Sequence, residues 1–158
     1  MDLEKTKWPD GKKCAAMLTI NLNAELFWLQ IDPSCKDMPK TLSLGQYGMT
    51  RGVDRILSIL KERGIKATFF TPGWVAEQYP DKLKRIKEEG HGIAALANKH
   101  DSMALMTDEE QEDAMNKGIA AIQSVCGMTP VGFRAAEEEL TLDTLRIAKK
   151  YGMHYSSN

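Results

Sequence analysis

The sequence predicts an α/β fold built on a parallel sheet, and three observations carry that prediction. Short apolar or β-branched runs alternate with stretches whose apolar residues recur at three-and-four spacing. Glycine or proline punctuates most of the junctions between them. Of 158 residues, 42% are hydrophobic and 27% charged, the ordinary balance of a single globular domain, here taken as 1–158. Strands alternating with helices imply right-handed crossovers and parallel pairing. The alternation alone leaves open whether such a sheet stays flat or curls toward a barrel.

The elements follow in chain order. Residues 14–20 (CAAMLTI) read as a buried strand. Residues 30–48 hold two prolines and two glycines without periodicity, and are expected to form a long loop on the active face. Val53, Ile56, Leu57 and Leu60 mark a helix stopped by Gly64. KATFFT, 66–71, is β-branched and aromatic and reads as a second strand. Pro80 opens a helix over 80–89 with Leu83 and Ile86 inward, and 91–96 (HGIAAL) is a third strand. Thr107 and Glu110 form a capping box for a helix through Ile119, Ile122 and Val125, closed at Gly127. VGF, 131–133, is a brief strand. Thr141 caps a last helix with Leu142, Leu145 and Ala148 in its apolar stripe, and residues 153–155 begin a fifth strand.

Composition excludes several classes of function. Net charge is −1, from 21 basic and 22 acidic residues, which argues against nucleic acid or an anionic membrane as partner. No apolar run approaches the roughly 18 residues of a membrane helix. The first residues, MDLEKTKWPDGKK, lack the apolar stretch of a secretory signal, so a cytoplasmic location is expected. Cys14, Cys35 and Cys126 are too few and too widely spaced for a disulfide framework, and are expected to be reduced and mostly buried. The nine methionines are expected to fill gaps in the core.

In parallel α/β sheets, sites form at the carboxyl ends of the strands. Four segments should therefore converge: Asn21–Glu25, Pro72–Trp74, Ala97–Asp101 and Arg134–Glu137. His100 in this cluster could bind a metal or move a proton, or simply be a solvated loop residue. His91 falls at the opposite end of the sheet, and the role of His154 is open. Phe27, Trp28, Tyr47 and Trp74 could stack on a sugar or serve as packing.

Three stretches, LGQYGMTRGVDRILSILKERGIKATFFTPGWVAEQYPD, GHGIAALANKHD and GFRAAEEELT, resemble the polysaccharide deacetylase family. This is the NodB-homology, or carbohydrate esterase 4, fold, and the resemblance is strongest to its peptidoglycan deacetylase-like and cyclic imide hydrolase-like branch. It implies an incomplete (β/α) barrel, here truncated after about five parallel strands. It also implies hydrolysis of non-peptide C–N bonds with zinc or another divalent metal. In that pattern an Asp acts as base, and a second Asp with two histidines holds the metal. An Arg orients the base.

This sequence departs from the pattern. Asn21 stands at the base position, and Asn23 and Leu96 stand at ligand positions. His100 is the surviving ligand and Arg134 is kept, with Ala136 where a proline is expected. Asparagine matches aspartate in shape but is neutral, and its amide is no base. Two neutral isosteres also remove the repulsion between carboxylates that loss of a cation would leave. A metal site normally needs three protein ligands, so no cofactor is expected here. Arg134, without its carboxylate, is expected to pair with Glu25 or with Glu137, Glu138 or Glu139.

The expected function is thus a deacetylase-like protein of carbohydrate metabolism that has lost catalysis and acts as a binding or partner subunit. Its partners would be an active paralogue or, because a five-stranded remnant exposes a sheet edge, a second copy of the chain. The alternative is an active hydrolase rearranged around His100, with Glu25, Asp101 or Glu137 as substitute ligands and help from a partner chain. A third reading is a remnant without selected function.

Overall fold

KATFFT forms a strand because its β-branched and aromatic side chains suit a pleated surface packed on both faces. In the computed structural model, which describes residues 8–158, this run supplies β2 (Thr68–Thr71). β2 pairs in parallel with β1 (Thr19–Asn21) on one side and β3 (Gly92–Ala95) on the other. β4 (Gly132–Phe133) and β5 (Tyr155–Ser156) continue the sheet, all parallel, in the order β1-β2-β3-β4-β5. Side chains alternate across the sheet. Phe69 therefore joins the main core with Leu57, Leu83 and Ile122 from the helices. Phe70 joins a smaller cluster on the other, concave face with Ala94, Leu96 and Ala136. The sheet curls, since Arg134 beyond β4 reaches both Thr19 on β1 and Ser157 after β5, and among the described residues β1 and β5 do not pair, as in an incomplete (β/α) barrel.

Among the described residues seven α-helices surround it: α1 (Leu26–Ile31), α2 (Pro39–Tyr47), α3 (Val53–Arg63), α4 (Gly73–Gln78), α5 (Pro80–Glu88), α6 (Asp108–Cys126) and α7 (Leu142–Lys150). The capping box of α6 is present in full. The Glu110 N–H donates to Thr107 Oγ1, and the Thr107 N–H donates to Glu110 Oε2 at 2.8 Å. α6 lies so close to the end of β3 that a Cβ on Gly118 would sit 2.1 Å from the carbonyl oxygen of Ala97. No described helix is long and apolar enough to cross a membrane.

Four expectations need correction. The long loop over 30–48 is helical instead: a 3-10 turn (Pro33–Asp37) follows α1, and α2 runs through a π-turn (Gly48–Gly52) directly into α3. Pro33 and Pro39 do not interrupt this chain, because each stands at the first position of its helical piece, where no N–H is needed. The first strand is only Thr19–Asn21, and residues 14–18 are exposed, Cys14 included, whereas Cys35 and Cys126 are buried. On α7 the buried stripe is Thr144, Ile147 and Ala148, while Leu142 and Leu145 are exposed. The Thr144 hydroxyl explains this choice, since it donates to Gln111 Oε1 at 2.5 Å inside the core. The last strand begins at Tyr155, two residues later than the apolar run implied. The first seven residues of the charged N-terminal stretch lie outside the described residues.

Candidate functional site

The carboxyl ends of β1, β3 and β4 meet around a cavity of about 220 Å³. Asn21, Asn23 and Phe27 line it from the β1 side, Leu96 and His100 from beyond β3, and Ala136, Glu137 and Glu138 from beyond β4. The backbone bends sharply to present these groups. Ala24, Ala97, Glu137 and Glu138 all have positive φ (49°, 47°, 57° and 63°), a region that non-glycine residues rarely occupy.

His100 is buried, with 6% of its surface exposed, so it is not a solvated loop residue. Its hydrogen bonds fix its tautomer. Gln30 Nε2 donates to Glu137 Oε1 at 2.9 Å, which turns Gln30 Oε1 toward His100 Nδ1. Nδ1 therefore carries the proton and donates to Gln30. Nε2 is left as acceptor, and Asn23 Nδ2 donates to it at 3.0 Å. The order continues to the far end: Asn23 Oδ1 is buried without a partner among the described residues. Burial pushes the imidazole below its ordinary titration range, against the upward pull of Glu137 and Asp101. A neutral ring is what this chain of bonds requires.

Arg134 lies across the concave face. Its guanidinium stacks on Phe70, 4.1 Å from the ring centroid. Nη1 donates to Asn21 Oδ1 at 2.9 Å and Nη2 to Thr19 Oγ1 at 3.2 Å, both on β1. Nε donates to the Ser157 carbonyl at 2.7 Å, and Nη2 also to Ser157 Oγ at 2.6 Å. The expected pairing with Glu25 or the three glutamates is thus replaced by neutral acceptors on both edges of the sheet.

The remaining residues singled out from sequence lie apart from this cavity. Glu25 is 7% exposed and accepts a 2.7 Å hydrogen bond from the Tyr79 hydroxyl; its second oxygen has no partner among the described residues. Burial, and then the Glu25 contact, push the Tyr79 hydroxyl upward in pKa. Trp74 packs against the main core from the start of α4, and Asp101 is exposed. His91 is buried at the amino end of β3, and its Nδ1 accepts from the Ala67 N–H at 3.3 Å. Of the aromatic candidates, Phe27 lines the cavity, edge-on to His100. Sequence reasoning missed Gln30, Thr19, Ser157 and Tyr79. Gln30 could have been found had LFWLQI been read as a helix placing it one turn beyond Leu26.

A divalent metal does not fit these residues. Among the described residues, no three His, Cys, Asp or Glu side chains are grouped to hold one. His100 Nε2 already takes a proton donor, and Leu96 is fully buried against Phe70, Ala94 and Ala136.

Comparison with known proteins places the fold. Residues 39–156 match the family described as Polysaccharide deacetylase. This chain belongs to that family. A peptidoglycan deacetylase from Helicobacter pylori is 29% identical over 145 residues, covering 92% of this chain and 49% of that protein. A crystal structure from Mycobacterium smegmatis, assigned as a polysaccharide deacetylase, superposes with a TM-score of 0.92 at 35% identity. That match covers 96% of this chain and 53% of the other. A Bacillus anthracis protein described as a carbohydrate esterase 4 family pseudoenzyme shares the fold at TM-score 0.69 and 20% identity, over 89% of this chain and 41% of that one. The chain spans about half the length of the curated relatives it matches.

Proposed function

We propose that this polysaccharide deacetylase-family chain is catalytically silent and serves as a binding or partner subunit. The observation that carries the reading is the state of His100. Its free nitrogen accepts from the Asn23 amide, so the one matched ligand is engaged by a residue that cannot replace a carboxylate. Asn21, at the base position, accepts from Arg134 and offers no group able to take a proton from water. Loss of a general base alone costs about 10²–10⁴ in rate, and loss of the metal removes the source of hydroxide as well. Of the three substitute ligands in the alternative, Glu25 faces Tyr79 and Asp101 lies on the surface, while Glu137 does line the cavity, where it accepts from Gln30 and leaves that alternative one carboxylate near His100.

A binding role keeps what the cavity still offers: amide, carboxylate and imidazole groups around an exposed aromatic edge at Phe27. At about 220 Å³ it suits one sugar-ring-sized group, being smaller than the roughly 300–1,000 Å³ of drug-sized pockets. The Bacillus anthracis pseudoenzyme is a precedent for a silent chain in this fold. The test is acetate release from chitooligosaccharide by the purified chain with added zinc, beside titration of the same sugar by NMR. The reading expects no zinc-dependent release. Release that His100→Ala abolishes would overturn it.

A further inference from the structure

Another cavity opens at the amino ends of β2 and β3, away from the strand-end site described above. It measures about 360 Å³ and lies between the end of α3 and the turn that follows α5. Leu60 and Ile65 give it an apolar wall, Lys61 and Lys66 bring ammonium groups, and Glu89 and His91 complete it. Its volume falls within the roughly 300–1,000 Å³ of small-molecule pockets.

His91 is its buried polar member. The residue is 7% exposed, and its ring packs edge-on against Phe69. Its Nδ1 accepts from the Ala67 backbone N–H, a group that can only donate. The neutral ring therefore carries its proton on Nε2. Burial, and then Lys66, push the imidazole below its ordinary titration range against the pull of Glu89, so the ring stays neutral at neutral pH. Nε2 has no partner among the described residues. It is also not sealed from solvent, as Asn23 Oδ1 and Glu25 Oε2 are, so the cavity reaches it.

The acceptors around this cavity are already engaged. At the end of α3, the Leu60 and Lys61 carbonyls accept from the Ile65 and Gly64 N–H groups at 2.9 and 3.2 Å. At the end of α5, the Ile86 and Lys87 carbonyls accept from the His91 and Gly90 N–H groups at 3.2 and 2.8 Å. The Glu89 carbonyl accepts from Lys66 Nζ at 2.5 Å, and the Glu89 carboxylate from Arg85 Nε at 2.7 Å. Satisfying these carbonyls weakens the negative ends of both helices as a barrier to an anion. The groups left over are donors: His91 Nε2–H, the remaining N–H groups of Lys66, and the Lys61 ammonium.

We propose that this cavity binds a small organic carboxylate with a short apolar body. One carboxylate oxygen accepts from His91 Nε2–H, Lys61 and Lys66 add charge-assisted bonds, and the hydrocarbon lies along Leu60 and Ile65. Inorganic phosphate brings the charge but nothing to place against that wall. Because the cavity lies at the other end of the sheet, this binding is independent of whether the strand ends hydrolyse anything.

The test is an NMR titration of the full chain with acetate, butyrate and inorganic phosphate at constant ionic strength. It follows the His91 ring nitrogens and the amides of residues 64–67 and 90–92. Butyrate is expected to give saturable shifts there, including at His91 Nε2, while His100 and Asn23 stay unmoved. It should bind about tenfold tighter than acetate, from the extra methylenes withdrawn from water, and more tightly than phosphate. Lys61→Gln and Ile65→Ser, both at exposed positions, should each weaken butyrate about threefold and leave thermal unfolding unchanged. The absence of a saturable shift at His91 overturns the proposal. So does equal affinity for acetate and butyrate, phosphate binding as tight as butyrate, or unchanged binding in either variant. Shifts at His100 and Asn23 in place of His91 would overturn it as well, since the carboxylate would then occupy the strand-end cavity.

Discussion

Replacing Arg134 by alanine should destabilise the chain more than any other exchange at the family's catalytic positions. The guanidinium makes hydrogen bonds to Thr19 and Asn21 across the concave face and to Ser157 beyond β5, and it stacks on Phe70. Each hydrogen bond from a charged donor contributes about 1.5 kcal/mol at the low end, and the stacking about 1 kcal/mol. The bonds to Ser157 lie near the chain end, so they are discounted. Two cross-sheet bonds with the stack then give about 4 kcal/mol, reduced to about 3 kcal/mol by the desolvation that the half-buried charge no longer suffers. For a chain of this size that is a fall in Tm of roughly 6–12 °C. Arg134→Lys keeps the charge and part of the stacking but cannot fork, so about half the loss should remain. Urea unfolding of the three proteins at neutral pH measures this directly. A loss below about 1 kcal/mol for Arg134→Ala would refute the role of the side chain as a brace between sheet edges.

Three further outcomes follow from the structure. Tyr79→Phe leaves the buried Glu25 carboxylate without its one described hydrogen bond and should cost about 2 kcal/mol in urea unfolding. Gly118→Ala drives a methyl into the Ala97 carbonyl and should cost about 3 kcal/mol or prevent folding, read from the same unfolding curves or from soluble yield. His100 titrates below its ordinary range in the folded state, so the unfolded chain binds that proton more readily. Its contribution to stability is therefore complete above about pH 6.5 and declines as pH falls below it. The urea midpoint should drop between about pH 7.5 and 5.5, and His100→Gln should flatten that drop. His91 shifts in the same direction through burial, so the difference between the two proteins isolates His100.

The parts of the fold legible in the sequence were those fixed by local chemistry. Thr107 with Glu110, Thr141 as an N-cap, and Gly64 and Gly127 at left-handed closing positions are local devices, and the helices they bound appear as read. KATFFT could be placed because its composition suits a strand buried on both faces. The region 30–48 was not legible, because prolines at first helical positions look in sequence like proline in a loop. The buried face of α7 was not legible either. Leu142 and Leu145 satisfy the apolar spacing, but the partner that decides the face is Gln111, which is 33 residues away from Thr144.

The candidate site divides in the same way. Asn21, Asn23, His100, Arg134 and Glu137 could be chosen because strand ends converge, Leu96 only through the family resemblance, and the structure brings them together. Their partners could not. Gln30 meets His100 across 70 residues, and Thr19 meets Arg134 across 115. The pairing of Arg134 with carboxylates was a charge argument, and the geometry overruled it with the neutral acceptors that the curled sheet places nearer. Trp74, Asp101 and Glu25 stand at the ends of the right segments, but their side chains turn into the core, into solvent and toward Tyr79.

The central claim is that the strand ends no longer hold a catalytic metal. Metal analysis of the chain purified without chelator, then exposed to zinc and dialysed, tests it most directly. The account predicts far less than one ion per chain. It also predicts that Asn23→Asp combined with Leu96→His, which returns a carboxylate and a second imidazole beside His100, raises zinc retention. One ion per native chain that survives dialysis and is released by His100→Ala would contradict the account.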